Sequence, residues 1–327
     1  MKKDNLYVAA VCKSREKNLI GKERLDRMTD CDSGEDGLRI LKEAQFGGDT
    51  QIDGAYDFEK LIAYETNSLY EFLKEYCPND KFLRYCFAER DFHNAEVLLR
   101  SKKLRLDKSA MLLPDGYLQS EDIEKCIDDK NYSSLPKHLA YALKTTDELF
   151  ENGEASGYKI SDVFAKSLND AKLYYSSFNK KLHALCVWET DAKNIAISLR
   201  SGSFDKAKDG FLKGGKLSET VLKDVFDKNF DKLSENKEFK DYTDLIDTFS
   251  RLNAGEPLIG FEQVLNGHAL KELKKDKYEV VDGIQPLILY YYYRLNEIAN
   301  VRTIMVGLNN GIDKEQIKQR VRENYAG

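Results

Sequence analysis

The chain has 327 residues, with 51 Lys and Arg against 56 Asp and Glu, a formal net charge of −5 and a pI near 5.6. That length calls for roughly two or three domains, or one repeated unit, and the acidic balance argues against nucleic acid as the main partner, because neutralising phosphates needs a basic excess. The longest apolar runs, Leu6–Cys12 and Leu287–Tyr293, fall far short of the ~20 residues of a membrane-spanning helix.

From the N-terminus, MKKDNLYVAAVCKSREK briefly imitates a lipoprotein signal. Its apolar stretch is too short, Val11 suits the position before Cys12 poorly, and a charged helix-like segment follows at once. Helical signals then dominate. Only 5 prolines interrupt the chain, and charged residues reach 33%, which reads as solvated helical surface. Breaks fall at Gly47-Gly48, Pro114-Asp115-Gly116, Gly214-Gly215 and Gly255-Glu256-Pro257. The charge-rich stretch 205–245 keeps apolar residues at helical intervals and reads as exposed helices. The cysteines at 12, 31, 77, 86, 126 and 186 lie apart and read as reduced thiols.

An internal repeat carries most information. Cys86, Glu89, Asp91, Asn94, Leu99 and Arg100 superpose without a gap on Cys186, Glu189, Asp191, Asn194, Leu199 and Arg200, an offset of 100 (191 − 91). A partial third copy keeps Asn300 and replaces the Asp by Glu297, with Leu295 and Val306 in place of the Glu and the Arg. Tyr85, Phe92, Ala95 and Leu99 form an amphipathic stripe matched by Leu185, Ala192, Ile195 and Leu199, and by Tyr291, Ile298, Val301 and Met305. A second element recurs as Ile20–Leu25, Leu118–Ile123, Leu217–Leu222 and Ile312–Ile317, with spacings of 98 (118 − 20), 99 (217 − 118) and 95 (312 − 217). Several copies read as helix starts, with Ser218 or Asp313 as N-cap. The period is that of a small domain, so the sequence predicts an all-α chain of three related helical domains. They span 1–110, 111–215 and 216–327, with the N- and C-terminal helices free to exchange across these boundaries.

No chemistry-bearing motif competes with this reading. His93, His138, His183 and His268 are well separated, and no metal-ligand spacing, phosphate loop or nucleophile elbow occurs. No catalytic site, metal or cofactor is expected. Asp128-Asp129 lacks a third acid at helical spacing, since Tyr132 stands there. The Glu89/Asp91 and Glu189/Asp191 pairs make poor two-carboxylate sites, because residues two apart on a helix do not face each other. Asn94, Asn194 and Asn300 are expected to point away from the apolar stripe. The repeated acids and asparagines then either bond neighbouring backbone or form a polar ring about a pseudo-threefold axis. Tyr290–Tyr293 is expected to bury two rings and leave two at an interface, and Lys271–Lys277 to form a solvated face.

The ordered motifs also carry a family likeness. Arg90-Asp91-Phe92-His93-Asn94 with Val97–Arg100, then Leu113-Pro114-Asp115-Gly116-Tyr117-Leu118, then Gly283–Leu287 with Asn296–Ile304, resemble the C subunit of V-type and A-type rotary ATPases (the d subunit of eukaryotic complexes), from Tyr7 to Tyr325. Leu295 departs from the acid expected before Asn296-Glu297. The resemblance implies a funnel-shaped, non-catalytic rotor part of the central stalk. It would be a socket between the axle formed by the D and F subunits and the membrane proteolipid ring, coupling ATP hydrolysis or synthesis to H⁺ or Na⁺ transport. It would lie in the cytoplasm, peripheral to the cell membrane. On this reading Glu89, Asp91, Asn94, Arg100, Glu189, Asp191, Asn194, Arg200, Glu297 and Asn300 are candidates for lining the funnel or touching the axle. A helical-repeat interaction scaffold unrelated to rotary ATPases would account for the repeats but not for the ordered motifs.

Overall fold

The computed structural model describes residues 4–245, 259–275, 283–322 and 324. Among the described residues every regular element is a helix. They form two compact units, one of Met1–Asn79 with Tyr242–Gly327, the other of Asp80–Asp241. The break at Gly255–Pro257, the end of the Lys271–Lys277 run and Tyr325 lie outside the described residues.

The first unit opens with α1 (Asn5–Glu16), α2 (Gly21–Thr29), α3 (Gly34–Glu43) and α4 (Phe58–Tyr76). The second holds α5 (Asp80–Leu104), α6 (Ser120–Asp128), α7 (Lys137–Glu151), α8 (Gly157–Ser176), α9 (Lys180–Arg200), α10 (Phe204–Gly210), α11 (Glu219–Phe226) and α12 (Phe230–Glu235). The chain then completes the first unit with α13 (Ile259–Lys274), α14 (Gln285–Asn309) and α15 (Lys314–Lys318).

Local chemistry explains these boundaries. Ser33, Ser156, Asn179 and Ser203 each accept a backbone N–H at the start of α3, α8, α9 and α10, satisfying donors that a helix start leaves orphaned. Asp313 caps α15 in the same way, accepting from the N–H groups of Glu315 and Gln316. The Ser218 side chain makes no cap bond on α11; its backbone N–H donates to Glu238 Oε2 at 2.9 Å instead. Pro78 ends α4, since the residue before a proline is driven out of the helical region. Gly47 and Gly48, both at positive φ, make the turn after α3.

Each long helix of the repeat is an organising element. In the first unit α14 packs against α1, α2, α3, α4, α13 and α15. Its Ile298, Val301, Ile304, Met305 and Leu308 share one core with Leu25, Met28, Leu38, Leu41, Phe58, Ile62 and Ile317. In the second unit α8 packs against α5, α7 and α9, while α6 covers α5 and α11 covers α9. The charge-rich stretch is indeed a set of short helices, each dropping small anchors inward, such as Ala207, Val221, Val225 and Leu233.

One expectation about faces is corrected. Tyr290–Tyr293 are all buried, because neighbouring elements enclose the N-terminal half of α14, which turns a side to solvent only further on, at Arg302 and Val306. Asn94, Asn194 and Asn300 are also buried, at 1%, 3% and 0% exposure, although they lie off the apolar stripe. A helix covered by neighbours on several sides must bury polar positions too, and those positions need partners.

Candidate functional site

Those partners define the repeat. The Asn94 amide bonds one backbone unit at both ends. Its Nδ2 donates to Leu113 O at 3.0 Å, and Leu113 N donates to its Oδ1 at 2.9 Å. Asn194 clasps Leu212 with the same two bonds, at 2.9 and 2.8 Å. Asn300 clasps Arg322, at 3.0 and 2.7 Å. Only a side chain with a donor and an acceptor side by side can pair a peptide unit this way, which accounts for Asn at all three positions.

The acid one helical turn earlier takes hold of a second stretch. Asp91 Oδ1 accepts from Leu118 N at 3.1 Å and its carboxylate also from Tyr117 N. Asp191 accepts from Lys216 N at 2.8 Å and Leu217 N at 3.1 Å. Glu297 accepts from Ile20 N. Leu118, Leu217 and Ile20 are each the first residue of the second recurring element, so the two sequence repeats are one structural device. The acid helix latches the chain where the next short helix begins.

The glycines beside the latches follow from space. A Cβ on Gly116 would lie 2.0 Å from Asp91 Oδ1, and one on Gly215 would lie 2.0 Å from Asp191 Oδ1. Neither glycine has positive φ, so closeness of approach, not backbone angle, excludes a side chain. Two residues before Ile20 stands Asn18 instead of glycine, and there the acid is Glu, one methylene longer than Asp.

Burial sets the electrostatics. Desolvation pushes the Asp91 carboxyl up to about 7 against the pull of its backbone donors. Desolvation also raises Glu297, opposed by the Arg294 guanidinium. Arg294 stands between Glu297 and Glu65, bonded to both, and Glu65 also accepts from Gly47 N at 2.6 Å. This buried row ties α4, α14 and the turn after α3 together.

The remaining candidates are more accessible. Glu89 on α5 and Glu189 on α9 both reach Lys172 on α8, at 3.1 and 3.6 Å. Lys172 holds the Glu89 carboxyl below its usual range, and desolvation with the Lys172 charge lowers Lys193 beside them. Arg100 pairs with Glu96 at 2.6 Å and donates to Gly157 O and Ser161 Oγ at the start of α8. Arg200 lies at the exposed end of α9. Thus the structure brings Glu89 and Glu189 onto one cation, while Asp91, Asn94, Asp191, Asn194, Glu297 and Asn300 are occupied with backbone. The repeat holds no signal for Lys172, since Phe72 stands 100 residues before it (172 − 100).

Among the described residues no group of His, Cys, Asp and Glu is disposed to hold a metal ion, and no helix is long and apolar enough to cross a membrane. The six cysteines are free thiols. What the geometry defines is an all-helical repeat whose recurring polar chemistry goes into fastening connectors.

The chain belongs to the ATP synthase (C/AC39) subunit family, whose model matches residues 8–320. It is similar to the C subunit of the V-type sodium ATPase of Enterococcus hirae, 23% identical over 96% of each chain. It is also similar to the C subunit of the A-type ATP synthase of Methanobrevibacter smithii, 23% identical over 91% of this chain and 83% of the relative. The A-type C subunit of Methanocaldococcus jannaschii is 20% identical over 95% and 84%.

Proposed function

We propose that this protein is a non-catalytic central-stalk part of a V/A-type ATPase, a socket between the D–F axle and the proteolipid ring. It would transmit torque so that ATP hydrolysis or synthesis is linked to H⁺ or Na⁺ movement, on the cytoplasmic side of the cell membrane. Three related helical domains around a pseudo-threefold axis belong to the same proposal.

The observation that carries the reading is the latch repeated three times. A torque-bearing part must resist shear between its helices. A connector fastened at two points by buried side chains cannot slide along its helix without losing several charge-assisted or paired hydrogen bonds at once. The same observation narrows the candidate axle contacts. Buried residues that hold backbone shape the socket from within, and contact falls to the accessible Glu89, Glu189, Arg100 and Arg200. Glu89 and Glu189 with Lys172 and Lys193 form an accessible, charge-balanced cluster, whose alternating charges would set the orientation of a polar axle tip.

Native mass spectrometry of the purified chain with its organism's D–F pair tests the socket. The expected result is a one-to-one-to-one complex. Folded components that form no complex, alone or on isolated ring, would overturn the reading. Glu89→Gln with Glu189→Gln should weaken that complex while the chain stays folded, its unfolding midpoint falling only modestly as Lys172 loses two partly exposed ion pairs.

A further inference from the structure

A cavity of about 560 Å³ opens in the first unit, independent of the rotor reading. Its walls come from the end of α1 and the link to α2, the turn after α3, the middle of α4 and the start of α14. The cations facing it are Arg15, Lys17, Arg24 and Arg294, and the acids are Glu43 and Glu65.

The acids are already engaged. Glu65 is held by Arg294 and by Gly47 N, and Glu43 pairs with Arg27 at 3.5 Å. Arg294 is spent on Glu65 and Glu297. Arg15 is oriented, its guanidinium stacked 4.5 Å over the Phe72 ring and bonded to the Tyr290 hydroxyl. Lys17 and Arg24 have no carboxylate or other polar partner for their side chains among the described residues. The cavity therefore presents three cations that no acid balances, on a floor fixed by the buried Glu65–Arg294–Glu297 row. Its volume lies within the ~300–1,000 Å³ of small-molecule sites. Exposed Tyr64 at the rim offers a face for an apolar or aromatic portion.

We propose that this cavity binds a small anion bearing phosphate, with Arg15, Lys17 and Arg24 converging on the phosphate oxygens. Guanidinium groups suit phosphate because their paired N–H donors match two oxygens at once. Two sources supply such a group, a soluble polyphosphate or nucleotide and the headgroup of an anionic phospholipid.

The test is isothermal titration of the full-length chain with pyrophosphate and with ATP, alongside co-flotation with phosphatidylglycerol-containing vesicles. Each is repeated on Lys17→Gln/Arg24→Gln and on a control of equal charge change, Lys125→Gln/Lys144→Gln. Saturable one-to-one binding of a soluble anion, weakened about tenfold or more by the first double substitution and not by the second, supports a soluble ligand, since losing two such contacts is worth at least that factor. Flotation alone with the same dependence supports the headgroup. Binding that is non-saturable, absent for every probe, or lost equally in both variants overturns the proposal. Lys17 and Arg24 are exposed and make no contact that the fold needs, so both variants should unfold as the parent does.

Discussion

Gly215→Ala is the sharpest probe of the latch. The added Cβ would sit 2.0 Å from Asp191 Oδ1 and 2.8 Å from its Cγ, distances no packed structure tolerates. Asp191 is fully buried, so its carboxylate cannot swing into water, and the connector must lift away. That breaks the bonds from Lys216 and Leu217 to a charged acceptor and leaves that acceptor buried with fewer donors. With about 1.5–3 kcal/mol for each such bond and incomplete additivity, the expected loss is about 2–4 kcal/mol. Urea unfolding followed by tryptophan fluorescence measures it cleanly. Trp188 is the only tryptophan of the chain, lies on α9 one turn from Asp191 and is 6% exposed. Gly202→Ala is the matched control, since nothing lies within 4 Å of a Cβ there, and should stay within about 0.5 kcal/mol of the parent. If Gly215→Ala unfolds with that control while Asp191→Ala is strongly destabilised, the close approach at Gly215 is not what the latch requires.

Other perturbations reach the remaining parts. Asp91 titrates near 7 in the folded chain, above the ~3.9 of an unfolded aspartate, so the native state binds this proton more tightly. The stability this adds is present below about pH 4 and is lost as pH rises toward 7. Asp91→Asn keeps an acceptor for the Leu118 N–H but does not titrate, so its urea midpoint should vary less with pH across that window than the parent's does. A variant profile as steep as the parent's would refute the assignment. Arg294→Met leaves Glu65 and Glu297 buried without their cation and should cost about 3–5 kcal/mol in equilibrium unfolding. A cost below about 1 kcal/mol would mean the row is not ionised as drawn.

Much of this is legible in the sequence, for a definite reason. A repeat at an offset of 100 places the same residue types in the same local surroundings, so Asn94 and Asn194, or Asp91 and Asp191, declare a shared task on sequence alone. Gly116 and Gly215, each two residues before the apolar residue that is latched, carry the same signal. The burial of the asparagines is not legible, because one amphipathic stripe accounts for one buried face, whereas α5, α9 and α14 are covered on several. The four buried tyrosines have the same origin. Lys172 and the Glu65–Arg294 contact leave no trace in the sequence, because Lys172, Glu65 and Arg294 have no repeated counterparts and only the packing of separate helices brings them to their partners. The repeat names the accessible pair Glu89 and Glu189, but not their shared cation.

The third latch differs from the other two in what supplies its partner. Asp91 and Asp191 seize N–H groups 27 and 26 residues further along the chain. Glu297 reaches Ile20, 277 residues away. The C-terminal copy of the acid helix is thus completed by the N-terminal copy of the short element, and the first unit needs both ends of the chain. Closing so long a loop costs more entropy than closing a short one, although the cost grows only logarithmically, so the contact must be strong enough to offset it. Full burial of Glu297 and its bond to Arg294 meet that need. Side-chain length then becomes the exposed variable. Glu297→Asp retracts the carboxylate by roughly one C–C bond, about 1.5 Å, from its bond with Ile20 N. It should destabilise the chain more than Glu297→Gln, which keeps the reach and loses the charge. Backbone hydrogen exchange at Ile20 reports the latch directly, and should quicken in the Asp variant by more than in the Gln variant. Faster exchange in the Gln variant than in the Asp variant would show that charge, not length, fastens the N-terminus, and equal exchange would refute the argument from length.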